Sequence, residues 1–189
     1  MDQQAGYTSE MALFVTGIKD TPSRGVLRLY GRSYACALGR GGITRNKREG
    51  DGCTPAGTFK LRPALLRPDR PGVFMAPGRF PHQMLKPNDG WSDDPRDPLY
   101  NRPVVLPHRR NHERLWREDG AYDVIIPLGY NDVAPQPGRG SAIFFHLANP
   151  DYGPTEGCVA VSRSDMRDIW MRLRPGMDMM IRPWGGARK

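Results

Sequence analysis

The chain lacks any long apolar run. No stretch approaches the ~20 residues that a membrane-crossing helix needs, so no helical span is expected. Cysteine is scarce: Cys36, Cys53 and Cys158 cannot all pair, and 189 residues are enough to bury a core without a disulfide scaffold. A Cys36–Cys53 bridge stays open in an oxidising compartment, although Cys36, in the strand-like run Ser33 to Leu38, reads as a small core residue. Apolar residues make up only 38% and are interrupted by 19 prolines and 22 glycines, which argues against a helical bundle and for short strands joined by loops. Residues Met1 to Met11 are polar and show no basic segment followed by an apolar one, hence no visible signal peptide.

What the chain has in excess is positive charge, formally +8, which points to an acidic partner. Nucleic acid is the first candidate and fails on pattern. The arginines are scattered, as Arg24, Arg62, Arg109 and Arg167 illustrate, and no RNA-binding, helix-turn-helix or zinc-finger spacing is present. A polymer bearing carboxylates suits the same charge.

Periodicity predicts strands over Ala12 to Ile18, Val26 to Tyr30 and Ser33 to Leu38, joined at Asp20-Thr21-Pro22-Ser23 and Gly31-Arg32 as an antiparallel meander. Further strands are expected at Thr58 to Leu61, Ala121 to Leu128, Ser141 to Leu147 and Met177 to Arg182. Ser162-Arg163-Ser164-Asp165 has the form of a capping box. The helix it opens, Ser164 to Leu173, carries a core stripe of Met166, Ile169, Trp170 and Leu173 and stops at Pro175-Gly176. Arg62 to Pro107 has little periodicity and is too long for an ordinary connection, so it reads as a lid or binding loop.

Chemistry concentrates in one stretch. The apolar run Ala142 to Phe145 delivers His146 at the end of a strand, Asn149, Pro150, Asp151, Gly153 and Pro154 make a loop, and Gly157 sets a turn directly before Cys158. A free thiol is only a few per cent ionised at neutral pH, and histidine is the usual partner that activates it. The competing reading of both residues is plain burial in the core. Other constellations fail. His108 and His112 have the spacing of two zinc ligands but adjoin Arg109 and Arg110 and lack an acidic partner motif. Asp93, Asp94 and Asp97 lack the Gly and Glu of a calcium loop and read as a solvated turn or salt-bridged lid. Gly39 to Gly42 and Gly50-Asp51-Gly52 lack the ending of a phosphate loop.

With His146 followed by a loop and then Thr155-Glu156-Gly157-Cys158-Val159, the chain resembles the L,D-transpeptidase catalytic domain, the YkuD-like family. Lys47-Arg48-Glu49-Gly50-Asp51-Gly52-Cys53-Thr54-Pro55-Ala56-Gly57-Thr58-Phe59 is similar to the lead-in of that domain. Gly90-Trp91, Tyr100-Asn101-Arg102, Tyr130-Asn131 and Gly138-Arg139-Gly140-Ser141 resemble one branch of it. The likeness spans roughly Leu13 to Ile181, so a single catalytic domain over residues 12–183 is expected, between a flexible segment (1–11) and a short tail (184–189).

The resemblance implies a mostly β fold of sandwiched or mixed sheets with one or two short helices and long loops. It implies ping-pong acyl transfer by a monomer on peptidoglycan stem peptides, in the periplasm or at the cell wall, with no metal or organic cofactor. Cys158 is then the nucleophile and His146 the base, oriented by a backbone carbonyl near Leu147 or a loop side chain. The amides of Gly157 and Cys158 form the oxyanion hole, and Tyr130, Arg139, Ser141, Thr155 and Glu156 contact substrate. An imidazolium beside the thiol should also lower its pKa and make it reactive well below pH 8. Two alternatives remain at this stage: a cysteine hydrolase such as an L,D-carboxypeptidase, and a non-catalytic wall-binding module.

Overall fold

The computed structural model describes residues 11–70 and 79–185, so most of the expected flexible segment and the last four tail residues lie outside the described residues. The chain opens with the expected meander of β1 (Ala12–Ile18), β2 (Thr21–Leu29) and β3 (Arg32–Ala37), antiparallel throughout. Its turns differ slightly from expectation. Asp20, at φ 59°, reverses the chain so early that Thr21 already belongs to β2, and the second turn is Tyr30-Gly31, not Gly31-Arg32. Tyr30 and Gly31 have φ of 47° and 76°, and two consecutive positive values are what a two-residue hairpin needs to match the twist of its strands.

Two short strands, β4 (Ile43–Thr44) and β5 (Thr54–Pro55), pair in parallel before β6 (Gly57–Lys60). The segment expected to be a loop instead contains β7 (Ala64–Leu66), β8 (His82–Met84), β9 (Asp89–Ser92) and β10 (Pro103–Val105), and is followed by β11 (His112–Arg114). Strands of three or four residues between Pro and Asp turns are too short to show a period, which hid them in the sequence. Strand β9 lies between β10 and β11 in a small antiparallel sheet. The rest of the chain forms β12 (Val124–Pro127), β13 (Phe144–Leu147), β14 (Val159–Val161), α1 (Arg163–Trp170) and β15 (Asp178–Arg182).

Ten strands join in one mixed sheet, in the order β6-β15-β1-β2-β3-β14-β13-β12-β7-β8. The β1–β15, β13–β14 and β7–β8 pairs are parallel. One face of this sheet meets α1. Ser162 Oγ accepts from the Asp165 N–H (3.1 Å) as the helix cap, and Met166, Ile169 and Trp170 bury the expected stripe. The helix ends at Trp170 because its last turn tightens, the Arg172 N–H donating to Ile169 O at 2.8 Å. Leu13, Val15, Leu27, Phe145, Val159 and Ile181 fill the same core.

All four residues of β13 are buried, and alternation explains how. Phe145 and Leu147 enter the main core, while Phe144 joins a second cluster with Leu85, Leu115, Tyr122, Ile125 and Cys158 on the opposite face. The small sheet covers that face through Trp91, whose ring meets Phe144 edge-on at 5.2 Å. The overall class is therefore the mostly β, mixed-sheet architecture expected, with one α-helix among the described residues.

Truncating Phe145, fully buried at the centre of the main core, should cost about 3–5 kcal/mol. Val133→Ala, at a position 86% exposed, should stay within about 0.5 kcal/mol. Urea midpoints at unchanged m-value check both, and equal shifts would contradict this placement of the core.

Candidate active site

Two adjacent parallel strands carry the chemistry. The β13–β14 register sets Phe145 beside Val159 and His146 beside Ala160. Cys158 immediately precedes β14, one residue back from Val159. With side chains alternating, His146 and Cys158 project from the same face, away from the main core. Spacings of about 4.8 Å between strands and about 3.3 Å per residue put their Cα atoms roughly 8 Å apart on the diagonal, and the thiol directs its proton at Ala142 O. Both line one cavity of about 410 Å³.

The strand expected to begin at Ser141 begins at Phe144, and the reason lies at Ala142. Its φ is 51°, a left-handed conformation unusual for a residue with a Cβ, and it is held from outside the loop. The Ala142 N–H donates to Asn101 Oδ1 (3.1 Å), which also accepts from Trp91 Nε1–H (2.9 Å), while Asn101 Nδ2 donates to the carbonyls of Tyr130 (3.0 Å) and Asn131 (2.8 Å). Ala142 O then accepts the Cys158 thiol proton at 3.3 Å, and the Phe144 N–H donates to Sγ at 3.3 Å. Asn101 thus fixes the loop that fixes the sulfur.

The turn before Cys158 is anchored separately. Thr155 pairs with the end of β3, its N–H donating to Leu38 O (2.9 Å) and its carbonyl accepting from the Arg40 N–H (3.0 Å). Its hydroxyl donates to Cys158 O (2.7 Å) and accepts from the Gly157 N–H (3.2 Å). Gly157 has φ 137°, and a Cβ there would stand 2.7 Å from Cys53 O. The positive φ and the Cys53 backbone together therefore require glycine at this position.

His146 Nδ1 lies 2.9 Å from Leu147 O, which assigns the proton to Nδ1 and leaves Nε2 as the basic nitrogen. The ring also meets Tyr122 edge-on at 5.1 Å. Burial pushes the imidazole down to about 4, partly offset by the Leu147 carbonyl. Burial also pushes the Cys158 thiol up to about 12, with the charge of Glu113 adding to the rise. Desolvation penalises both charges, which favours a neutral thiol and a neutral imidazole over the thiolate and imidazolium expected from the sequence.

Of the other residues singled out in the sequence, Ser141, Thr155 and Glu156 lie on the cavity wall. Ser141 Oγ donates to Glu49 Oε2 (2.7 Å), and exposed Glu156 pairs with Arg40 at the rim. Tyr130 and Arg139 sit behind the wall, the Tyr130 hydroxyl donating to the Arg139 carbonyl and its ring packing on Phe59 at 5.5 Å.

The three cysteines are free thiols, so the possible Cys36–Cys53 bridge is absent. Of the two readings of the aspartates, the salt-bridged one fits Asp94, buried and paired with Arg96, while Asp97 is buried against His108 Nε2 at 2.5 Å. Among the described residues no cluster of three or more potential ligands could hold a metal ion.

Sequence reasoning missed Lys47, Asp93, Glu113, Arg117 and Tyr122 as cavity residues. Lys47 and Glu49 did stand in the Lys47 to Phe59 block. Glu113, on a three-residue strand next to His112, left no periodic signal at all.

With Cys36 and Cys53 replaced, alkylation of Cys158 by iodoacetamide should climb about tenfold per pH unit through pH 9 without levelling. A thiol pushed up to about 12 exposes thiolate only in proportion to hydroxide over that range. A plateau reached by pH 7 would instead reveal an ion pair and refute the neutral resting state.

Comparison with known proteins follows the same residues. The model of the L,D-transpeptidase catalytic domain, YkuD, matches residues 21–181. No curated protein matches. Among solved structures, Bd1075 of Bdellovibrio bacteriovorus aligns with a TM-score of 0.45 and 13% identity, over 93% of this chain and 50% of that one. L,D-transpeptidase 1 of Mycobacterium tuberculosis gives 0.35 and 11%, over 90% and 61%. An L,D-transpeptidase from Mycobacterium smegmatis gives 0.38 and 12%, over 90% and 58%. The chain thus spans 50–61% of the length of these three structures. With most of its length matched, from β2 through the His146–Cys158 stretch into β15, the chain belongs to the L,D-transpeptidase catalytic domain family.

Proposed function

We propose that the chain is a cysteine-dependent L,D-transpeptidase that joins peptidoglycan stem peptides, working outside the inner membrane as a monomer and without metal or organic cofactor. The observation that supports this most is that His146 and Cys158 share one face of the parallel β13–β14 pair and one cavity, with the imidazole oriented by Leu147 O.

Proton transfer accompanies attack, because neither partner is charged at rest. Cys158 Sγ attacks the carbonyl after an L-configured residue of the donor stem as His146 Nε2 takes the thiol proton. His146 then protonates the leaving D-amino acid, and the thioester that remains on Cys158 passes to an amine of a second stem. The amides of Gly157 and Cys158 receive the oxyanion; the Gly157 N–H makes only a 3.2 Å bond to Thr155 Oγ1, which it can exchange for a charged acceptor. Ser141, Thr155 and Glu156 meet the substrate at the wall, whereas Tyr130 and Arg139 shape it from behind. The formal charge of +8 favours approach to a wall polymer rich in carboxylates.

Incubation of purified stem-peptide fragments with the chain should yield cross-linked dimers by mass spectrometry, whereas shortened stems alone would mark a hydrolase. Cys158→Ala should abolish product at an unchanged Tm, and Cys36→Ala with Cys53→Ala should retain most of it. His146→Ala should slow formation of the acyl-enzyme by about 10²–10⁴-fold with substrate binding little changed. Wild-type-like turnover in Cys158→Ala would remove the reading.

A further inference from the structure

Between Cys158 and the small sheet stands a second acid–base group that the dyad does not use. Glu113 lies on β11, opposite Trp91 of β9, and lines the cavity that Cys158 and His146 also line. The Tyr122 hydroxyl donates to Glu113 Oε1, and the Tyr122 ring stands against both Phe144 (6.0 Å) and His146 (5.1 Å). Arg117, stacked over the same ring at 5.1 Å, completes the support. Glu113, Tyr122 and Cys158 lie within electrostatic range of one another, since each shifts the titration of a neighbour.

We propose that Glu113 is the catalytic base of the second half-reaction: its carboxylate binds the ammonium of the acceptor stem and removes the proton that would block attack on the thioester. This rests on the transpeptidase reading above. The dyad leaves a chemical gap that Glu113 fills. An acceptor side-chain amine with a pKa of about 10.4 arrives as an ammonium at neutral pH, and the neutral imidazole offers no charge to hold it. A carboxylate in a low-dielectric cavity does so strongly.

The step balances as follows. The ammonium gives one proton to Glu113, and the freed lone pair forms the C–N bond at the thioester carbonyl. Collapse breaks the C–S bond while the new nitrogen passes a second proton to His146 Nε2. The imidazolium returns that proton to the sulfur, and Glu113 releases its own to solvent. Thioester and ammonium become amide, thiol and one proton.

Glu113 titrates above the ordinary carboxylate range. Burial is the main cause and Asp93 adds to it, while the Tyr122 hydroxyl and Arg117 oppose it. Cys158 faces Glu113 from the end of β14, with Lys47 beyond it on the cavity wall. The sign follows: the carboxylate form, and with it ammonium capture, is present above the raised pKa and lost as pH falls through it.

The test separates the half-reactions. Acylation is followed by intact mass after mixing with a stem peptide that ends in an L,D bond. Transfer is followed by decay of the isolated acyl-enzyme with a stem tripeptide carrying a free side-chain amine. In the wild type, transfer at fixed total amine should be flat from above the Glu113 pKa to near that of the amine. Glu113→Gln should acylate within about threefold of wild type, lose about 100-fold or more in transfer at pH 7, and show a rate that climbs log-linearly with pH. Hydroxylamine, already neutral at pH 7, should deacylate variant and wild type at similar rates.

A unit-slope rise through neutrality in the wild type would overturn the proposal, and needs no variant should Glu113→Gln fail to fold. Equal loss in acylation and transfer would overturn it too, by assigning Glu113 a structural role. Absence of any acyl-enzyme in the wild type would instead overturn the transpeptidase reading, and this proposal with it.

Discussion

The site depends on the parallel pairing of β13 with β14. Side chains alternate along a strand with a period of two, so the register that buries Phe145 and Val159 in the main core also turns His146 and Cys158 together onto the other face. A slip of one residue in either strand would send one of the pair into the core. Packing of the apolar residues therefore enforces the juxtaposition of the reactive ones, and α1 reinforces it by sealing the core side with Met166, Ile169 and Trp170. The turn Thr155-Glu156-Gly157 is tied to the end of β3, so Cys158 is positioned by the same sheet that carries His146.

Burial that aligns the dyad also sets its charge state. Both side chains are largely desolvated, so burial pushes the imidazole down to about 4 and the thiol up to about 12. On the proposed mechanism a neutral pair reacts only when a bound acyl carbonyl takes the sulfur's electrons as His146 takes its proton, which limits side reactions of a free thiolate. The cost is that the dyad itself offers no charge to the amine of the proposed second substrate. The carboxyl of Glu113, carried on a separate small sheet, answers that need.

Most of the fold was legible because its strands are long enough to show a pattern. The meander, the capped helix and the final strand follow from alternation, turn chemistry and Ser162. The positions of His146 and Cys158 at element edges were legible because Gly157 and the end of an apolar run mark them. Errors arose where local pattern is silent. Ala142 breaks its strand through hydrogen bonds to Asn101, a residue 41 positions away. The small sheet that carries Trp91 and Glu113 is built from strands of three or four residues. The push of burial on His146 and Cys158 left no mark in the sequence either, because desolvation is a property of tertiary packing, which spacing along a chain does not carry.

Mapping of the covalent intermediate tests the central claim most directly. The chain is mixed with a stem peptide ending in an L,D bond, quenched in acid, digested and sequenced by tandem mass spectrometry. The account predicts one thioester, on Cys158, formed in step with release of one D-amino acid per chain. An adduct on Cys36 or Cys53, or release of the D-amino acid with no adduct on any cysteine under conditions where the thioester survives, would contradict it.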